Sequence, residues 1–158
     1  MFALARTAVY ATLFIGLVLV FVPARVLAWS GITRPATLGV PQVLGLVVGS
    51  AGAALALWCI ATFAIAGRGT PAPFDPPRRL VMLGPYRVVR NPMYLGAALA
   101  LAAAALFYQS FALLAYTVAF GLMTHLFVIS YEEPTLRRMF GVNYDTYCRR
   151  VSRWRPRL

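Results

Sequence analysis

Three long runs of uncharged, mostly apolar residues occupy most of the sequence. They cover residues 7–24, 35–67 and 91–131, with lengths of 18, 33 and 41 residues. A membrane-spanning helix needs about 20 apolar residues, so the first two runs each predict one crossing, and residues 43–66 are the dense part of the second. The third run would extend about 60 Å as one helix, roughly twice the hydrocarbon thickness of a bilayer. A polar patch at residues 108–110 therefore predicts a tight helical hairpin that turns near residues 107–110.

The pattern as a whole predicts an all-α integral membrane bundle of four transmembrane helices with a C-terminal amphipathic cytoplasmic helical segment. Its parts are two N-terminal transmembrane helices (1–66), a cytoplasmic loop (67–91), a transmembrane hairpin (92–130) and a cytoplasmic tail (131–158). Four prolines and two glycines in residues 67–77 predict an irregular segment there. The first run is alternatively a cleaved signal peptide, but its length exceeds the apolar stretch of about 7–15 residues that such signals carry.

Composition favours a membrane protein over the other classes. Of the 158 residues 61% are hydrophobic and 12% are charged, and the mean hydropathy is +0.73. A soluble domain of this size buries too small a fraction of its surface to hide so many apolar side chains, and disordered chains have low hydrophobicity. Cys59 lies in an apolar run and Cys148 in the basic tail, so we expect no disulfide between them. The spacing of cysteine and histidine predicts no metal site.

All 15 basic residues are arginines, against 4 acidic residues, which gives a net charge of +11. With four crossings, 13 of the arginines fall on the side that carries both termini and the 67–91 loop. The positive-inside rule places that side in the cytoplasm, and we expect a bacterial inner membrane with its anionic inner leaflet as a partner. Because the arginines cluster at the ends of apolar runs, the charge does not indicate nucleic acid as a partner.

The third apolar run begins with the sequence of a helix start. Asn91 is a preferred N-cap residue and Pro92 suits the first helical position. Arg90 precedes them, and an electropositive helix end of this kind attracts a carboxylate or a phosphate. The alternative is a structural cap beside arginines that serve only topology. However, a helix cap does not require the longer pattern seen here, in which Gly84-Pro85-Tyr86 precedes Arg90-Asn91-Pro92 at a short spacing.

Two acidic residues, Glu132 and Glu133, stand where the hairpin ends, and they are half of all acids in the chain. His125, Ile129 and Glu132 fall on one stripe of a continuous α-helix. The alternatives are a neutral histidine bonded to a neighbouring helix and glutamates that only pair with cytoplasmic arginines. Because a tight hairpin brings its two ends together, we expect the cationic start and the acidic finish to line one pocket at the cytoplasmic interface. Such a pocket complements a ligand of mixed charge.

The tail carries an apolar face at helical period, interrupted at Gly141, which predicts two short helices. This tail either covers the pocket or lies on anionic lipid as an interfacial helix, and the two interpretations are compatible. The residues of the face are Leu136, Phe140, Tyr144, Tyr147, Val151 and Trp154.

Several of these blocks together resemble those of a known family of integral membrane methyltransferases. The blocks are Gly84-Pro85-Tyr86, then Arg90-Asn91-Pro92 with Tyr94, then Glu132-Glu133, and finally Phe140-Gly141 with Tyr144, Tyr147, Arg150-Val151 and Pro156. Their order and spacing are similar to those of isoprenylcysteine carboxyl methyltransferases and phospholipid methyltransferases. The resemblance covers about residues 80–156, half of the chain.

The resemblance implies an enzyme whose cofactor is S-adenosyl-L-methionine, bound at the cytoplasmic mouth of the last two crossings, with no metal. It also implies that Arg150 orients the methyl acceptor. Many relatives have histidine at the position of Asn91, and since asparagine does not titrate, this position is expected to bind and not to transfer a proton. The residues that would hold the cofactor are Leu83, Gly84, Pro85, Tyr86, Arg90, Asn91, Pro92, Tyr94, Glu132 and Glu133.

The acceptor stays open at this stage, as a hydrophobic or lipid-like molecule such as an isoprenylcysteine-type carboxylate or a phospholipid amine. A neutral amine would require removal of a proton, and His125 or one of the glutamates would be the base. Two rival functions also remain open. Membrane sterol and steroid reductases that use NADPH have a similar cofactor-end pattern, although they are usually longer, and a non-catalytic membrane scaffold would use the same helices without chemistry.

Overall fold

A computed structural model of the chain describes residues 12, 15–63, 65 and 80–156. Over these residues the protein is all-α, as predicted, and its nearest approach to a strand is one isolated parallel bridge between Val89 and Ser152. The predicted irregular segment 67–77 and most of the first half of the first crossing lie outside the described residues. A π-helical segment, Ile15–Phe21, leads into the first helix. The α-helices are α1 (Val22–Trp29), α2 (Val40–Thr62), α3 (Pro92–Tyr108), α4 (Phe111–Phe127), α5 (Glu133–Phe140) and α6 (Val142–Arg150).

Two helices of the described part are long and apolar enough to cross a membrane. One is α2, and the other runs from Phe111 to Phe140 through α4, a π-helical turn (Val128–Glu132) and α5. The segments Gly16–Trp29 and Pro92–Tyr108 are apolar but shorter. Helix α4 exposes large apolar side chains, with Phe111 86% and Met123 71% exposed, as expected of a surface in contact with lipid.

The turn of the predicted hairpin lies where the polar patch stands. Helix α3 ends at Tyr108, and Gln109 adopts a left-handed conformation with φ 48°. Ser110 then caps α4, since its hydroxyl accepts a hydrogen bond from the Leu113 amide at 3.2 Å. This short connection places the start of α3 and the end of α4 side by side.

Helices α2 and α3 pack closely because glycines stand at their crossing. A Cβ on Gly52 would lie 2.9 Å from the carbonyl oxygen of Gly96, and a Cβ on Gly45 would lie 2.8 Å from that of Ala103. Both distances are shorter than a Cβ contact allows, so the two backbones approach in a way that larger residues would prevent. This crossing positions the start of α3 against the C-terminal half of α2.

A buried polar side chain ties the other ends of the same two helices together. Gln42 accepts a hydrogen bond from the Gly39 amide and donates one to the carbonyl oxygen of Phe107, each at 3.0 Å. Its polar atoms are thus satisfied inside an apolar bundle, where an unpaired amide would cost about 1–3 kcal/mol.

Candidate functional site

A small cavity lies where the segment before α3 meets the π-helical turn and the tail. Its volume is about 60 Å³. Five of the ten residues predicted to hold a cofactor line it, and the remaining walls come from the residue that follows α2, the segment before α3, α5 and α6. The lining residues are Phe63, Leu80, Val81, Tyr86, Arg90, Asn91, Glu132, Glu133, Leu136, Tyr144 and Tyr147.

The start of α3 is built differently from what the sequence predicts. Asn91 occupies the N-cap position and Pro92 the first helical position, but the Asn91 side chain does not cap the helix. Its Nδ2 donates instead to the carbonyl oxygen of Arg153 at 3.3 Å. The expectation of a side-chain cap at Asn91 is therefore wrong, because the amide serves a contact between distant segments.

The cationic start of α3 and the acidic end of the hairpin lie in contact, as expected from the tight turn. Nη1 of Arg90 lies 3.0 Å from Oε1 of Glu133. Arg153 completes the cluster with two bonds to the same carboxylate, at 2.6 Å from Nε and 2.8 Å from Nη2. The side chains of Arg90 and Glu133 are 12% and 10% exposed. Glu133 is thus a largely buried carboxylate that two guanidinium groups neutralise.

Glu132 has a different environment from its neighbour. The hydroxyl of Tyr94 donates to its Oε2 at 3.0 Å, and the carboxylate lines the cavity. Within the described residues no arginine lies within ion-pair distance of Glu132, whereas Glu133 has two. Glu132 is therefore the carboxylate that has capacity left for a cationic or hydrogen-bonding ligand.

The π-helical turn separates Glu132 from His125. In a π turn the hydrogen bonds skip one residue more than in an α-helix, so the residues beyond it are rotated by about one position. The prediction that His125, Ile129 and Glu132 share one stripe rested on regular α-helical spacing, which this turn interrupts. Glu132 reaches the cavity, Ile129 is 38% exposed, and the Nδ1 atom of His125 accepts a hydrogen bond from Nε1 of Trp154 at 3.0 Å.

The last described residues, 151–156, form a C-terminal segment that lies along the start of α3. The Arg90 amide donates to the Ser152 carbonyl oxygen at 2.9 Å, next to the bridge between Val89 and Ser152. Sequence reasoning missed this pairing and with it the role of Arg153, which is one of seven tail arginines. No pattern in a single sequence distinguishes an arginine that turns inward from those that serve topology.

Three tyrosines form a buried wall of the cavity. Tyr144 and Tyr147 of α6 pack together with their rings 6.2 Å apart, and the hydroxyl of Tyr147 donates to the Tyr86 carbonyl oxygen at 2.7 Å. Burial raises the pKa of each of these phenols, those of Tyr86, Tyr144 and Tyr147, above the ordinary value for tyrosine. The wall is therefore neutral at physiological pH, and the cluster joins the predicted apolar face of the tail to the segment before α3.

The other predicted residues lie at varying distances from the cavity. Leu83, Gly84 and Pro85 form the turn beside Tyr86, and φ of Gly84 is +54°, where a Cβ would lie 2.9 Å from the Thr62 hydroxyl. Arg150 is exposed on the last turn of α6 and does not line the cavity. Its predicted role in orienting an acceptor stays a prediction, as do the cofactor contacts of the whole set.

Chemically, the cavity joins groups of opposite charge in a largely dry setting. Arg90 also approaches the Cys148 sulfur at 2.7 Å, yet its Nε is a buried donor without a partner among the described residues. The side chains of Arg90 and Glu132 both line the cavity, so a guanidinium and an available carboxylate border the same space. This combination suits a zwitterionic molecule, with its carboxylate or hydroxyl groups toward Arg90 and its cationic or hydroxyl groups toward Glu132.

Comparison with known proteins agrees with the blocks identified in the sequence. A family model described as phospholipid methyltransferase matches residues 40–143, which is more than half of the chain. The match begins at the first residue of α2 and includes the start of α3 and both glutamates. Searches against curated proteins and against solved structures give no match. The chain carries a membrane methyltransferase domain and belongs to the phospholipid methyltransferase family.

Proposed function

We propose that this protein is an S-adenosyl-L-methionine-dependent methyltransferase that acts on a lipid-like acceptor at the cytoplasmic face of a membrane. The observation that carries the proposal is the environment of Glu132, a carboxylate on the cavity wall whose described partner is the Tyr94 hydroxyl. Glu132 is partly buried, and a carboxylate that loses contact with water without gaining a counter-ion is costly. A ligand that brings a positive charge or hydroxyl groups compensates that cost.

The residues present fit the cofactor by their chemistry. S-adenosylmethionine supplies a methyl group on a sulfonium ion, and it also carries an ammonium, a carboxylate and ribose hydroxyls. Glu132 and Tyr94 would hold cationic or hydroxyl groups, and the unused Nε of Arg90 would donate to a carboxylate. Asn91, Leu83–Tyr86 and Pro92 would supply the surrounding backbone and side-chain wall.

The size of the cavity sets a condition on binding. Its volume of about 60 Å³ is well below the range of roughly 300–1,000 Å³ that small-molecule sites span. Binding therefore requires the walls to separate. The Glu133 cluster joins the start of α3 to the C-terminal segment, so we expect it to keep the site assembled while other walls move.

The chain's own contribution to methyl transfer is positioning and exclusion of water. Holding donor and acceptor in line and close together supplies roughly 7–11 kcal/mol of a barrier. The neutral tyrosine wall keeps the site dry, which strengthens the interactions of Glu132 and Arg90 with a bound ligand. For a neutral amine acceptor the chain must also remove a proton, and Glu132 is the carboxylate nearest to the cavity that is free of arginines in the described structure.

We infer a phospholipid amine as the acceptor, because the family's description names phospholipids, and an isoprenylcysteine-type carboxylate as the alternative. The topology proposed with it has four crossings and both termini in the cytoplasm of a bacterial inner membrane. The short helices Gly16–Trp29 and Pro92–Tyr108 would supply the two crossings beyond the long ones. Exposed arginines of α5 and α6 would then face the anionic leaflet.

The product of the reaction tests the proposal. Membranes that contain the protein are incubated with S-adenosylmethionine labelled in its methyl group, and the lipid extract is separated and identified. We expect label in a methylated phospholipid, and much less of it with Glu132→Gln. The absence of a labelled lipid, or binding of NADPH and not of S-adenosylmethionine by the purified protein in detergent, would contradict the proposed function.

A further inference from the structure

The bond between Trp154 and His125 determines which nitrogen of the imidazole carries a proton. The indole Nε1–H is only a donor, and it lies 3.0 Å from Nδ1 of His125. Nδ1 must therefore be unprotonated, and a neutral His125 carries its proton on Nε2. The Nδ1 lone pair, which is the one lone pair in the plane of the neutral ring, accepts the hydrogen bond from Trp154. His125 thus presents a hydrogen-bond donor at Nε2 in this arrangement.

The surroundings of His125 determine which hydrogen-bond acceptors its Nε2–H group can reach. His125 is partly exposed, and within the described chain it has no bonded acceptor for Nε2. On the same helix Leu122 and Leu126 are 61% and 59% exposed, so this part of α4 borders the lipid-facing side of the bundle. His125 therefore stands at the boundary between the packed helices and the lipid-facing side.

Trp154 and Tyr94 connect this donor to the cavity. The Trp154 ring lies 6.1 Å from the imidazole and 6.5 Å from the Tyr94 ring, and Tyr94 in turn donates to Glu132 at the cavity wall. Two aromatic side chains, Trp154 and Tyr94, thus stand between the donor and the carboxylate. His125 is thereby linked through packed side chains to the space proposed for the methyl donor.

We propose that His125 is a positioning residue for the acceptor, whose Nε2–H donates to a phosphate oxygen of a phospholipid headgroup while Trp154 holds the ring. The proposal rests on the proposed function, which supplies the phospholipid. A phosphate oxygen is a strong acceptor for an N–H group, and an exposed arginine, Arg155, follows Trp154 in the chain.

The state of the ring can be measured directly, because His125 is the chain's single histidine. Protein labelled with 15N in its imidazole is purified in a maltoside detergent, which contains no phosphate, and its ring nitrogens are recorded by NMR at a pH where the ring is neutral. We expect an unprotonated Nδ1 and a protonated Nε2. Trp154→Phe keeps an aromatic ring without the donor and should give a mixture of both tautomers. A wild-type ring protonated on Nδ1, or a spectrum that Trp154→Phe leaves unchanged, would overturn the proposal.

Lipid is then added to the same sample. Phosphatidylethanolamine should shift the Nε2 signal, and inorganic phosphate at equal concentration should not. Equal shifts with both would identify a simple anion site, and no shift with the lipid would exclude headgroup binding; either result overturns the proposal. Because this measurement needs neither cofactor nor turnover, it can fail while S-adenosylmethionine still binds, and the two proposals are therefore tested separately.

Two variants distinguish positioning from structure in turnover. His125→Gln places an amide donor near Nε2, whereas His125→Asn places its amide near Nδ1. We expect the KM for phosphatidylethanolamine to rise about tenfold in His125→Asn, as for one lost hydrogen bond to a charged group, and clearly less in His125→Gln. The KM for S-adenosylmethionine should stay the same in both. Equal losses in both variants, or a loss of cofactor affinity, would contradict the assigned role.

Discussion

Glu132 and Glu133 are neighbours in the chain, but their carboxylates lie in opposite electrostatic settings. Glu133 contacts Arg90 at 3.0 Å and Arg153 at 2.6 Å, while Glu132 accepts a hydrogen bond from Tyr94 at the cavity wall. The π-helical turn ends between them and directs each side chain to a different partner. We therefore assign assembly of the site to Glu133 and contact with the ligand to Glu132.

Removal of the Glu133 charge should destabilise the protein. Glu133→Gln leaves Arg90, whose side chain is 12% exposed, buried without its counter-ion, and losing one partner of a buried pair costs about 3–5 kcal/mol. The free energy of unfolding, measured by circular dichroism in mixtures of mild and denaturing detergent, should fall by that amount.

The matched control removes an exposed ion pair in the same tail. Arg137 and Asp145 lie 2.8 Å apart with side chains 54% and 42% exposed, so Asp145→Asn should change the free energy of unfolding by no more than about 1 kcal/mol. Equal losses in the two variants would mean that the Glu133 cluster does not hold the site together.

The Tyr94 hydroxyl should contribute to ligand affinity through Glu132. Tyr94→Phe removes the donor 3.0 Å from Oε2 and leaves the ring, so the carboxylate loses its orientation. We expect the Kd for S-adenosylmethionine to rise about tenfold, as for one hydrogen bond to a charged group. Isothermal titration calorimetry in detergent measures it.

Tyr131→Phe makes the same chemical change on the π-helical turn at a side chain that is 45% exposed, and it should leave the Kd unchanged. An affinity loss of equal size at both positions would show that the effect of Tyr94→Phe is general and does not pass through Glu132.

The crossing of α2 and α3 should not tolerate a methyl group. In Gly52→Ala the new Cβ would lie 2.9 Å from the Gly96 carbonyl oxygen, and overpacking of this kind typically costs about 1–3 kcal/mol. Gly121→Ala is the control, because a Cβ there meets nothing within 4 Å. Thermal unfolding in detergent should show a lower midpoint for Gly52→Ala alone; an unchanged midpoint would contradict the close packing of these helices.

The features that the sequence predicts best are those set by the lengths of the apolar runs and by the residues at the turns. The 108–110 patch predicted the hairpin turn, and the residue blocks predicted the family that the family model confirms. The orientations of individual side chains were harder to predict. A π-helical turn interrupts the α-helical spacing between His125 and Glu132, and no residue pattern in the sequence signals it. Asn91 bonds to Arg153 in place of capping α3. Contacts between the C-terminal segment and α3 span more than 60 residues, and no local spacing encodes them.

The most direct test of the account is the affinity of the purified protein for S-adenosylmethionine, measured by calorimetry for the wild type and for Glu132→Gln, with Asp145→Asn as the control. The wild type and the control should bind with the same Kd, and Glu132→Gln should bind roughly 10- to 150-fold more weakly at unchanged unfolding stability, as for a lost interaction of about 1.5–3 kcal/mol with a charged group. Equal affinity in all three proteins would contradict the assignment of Glu132 to the cofactor, and no binding by the wild type would contradict the proposed cofactor itself.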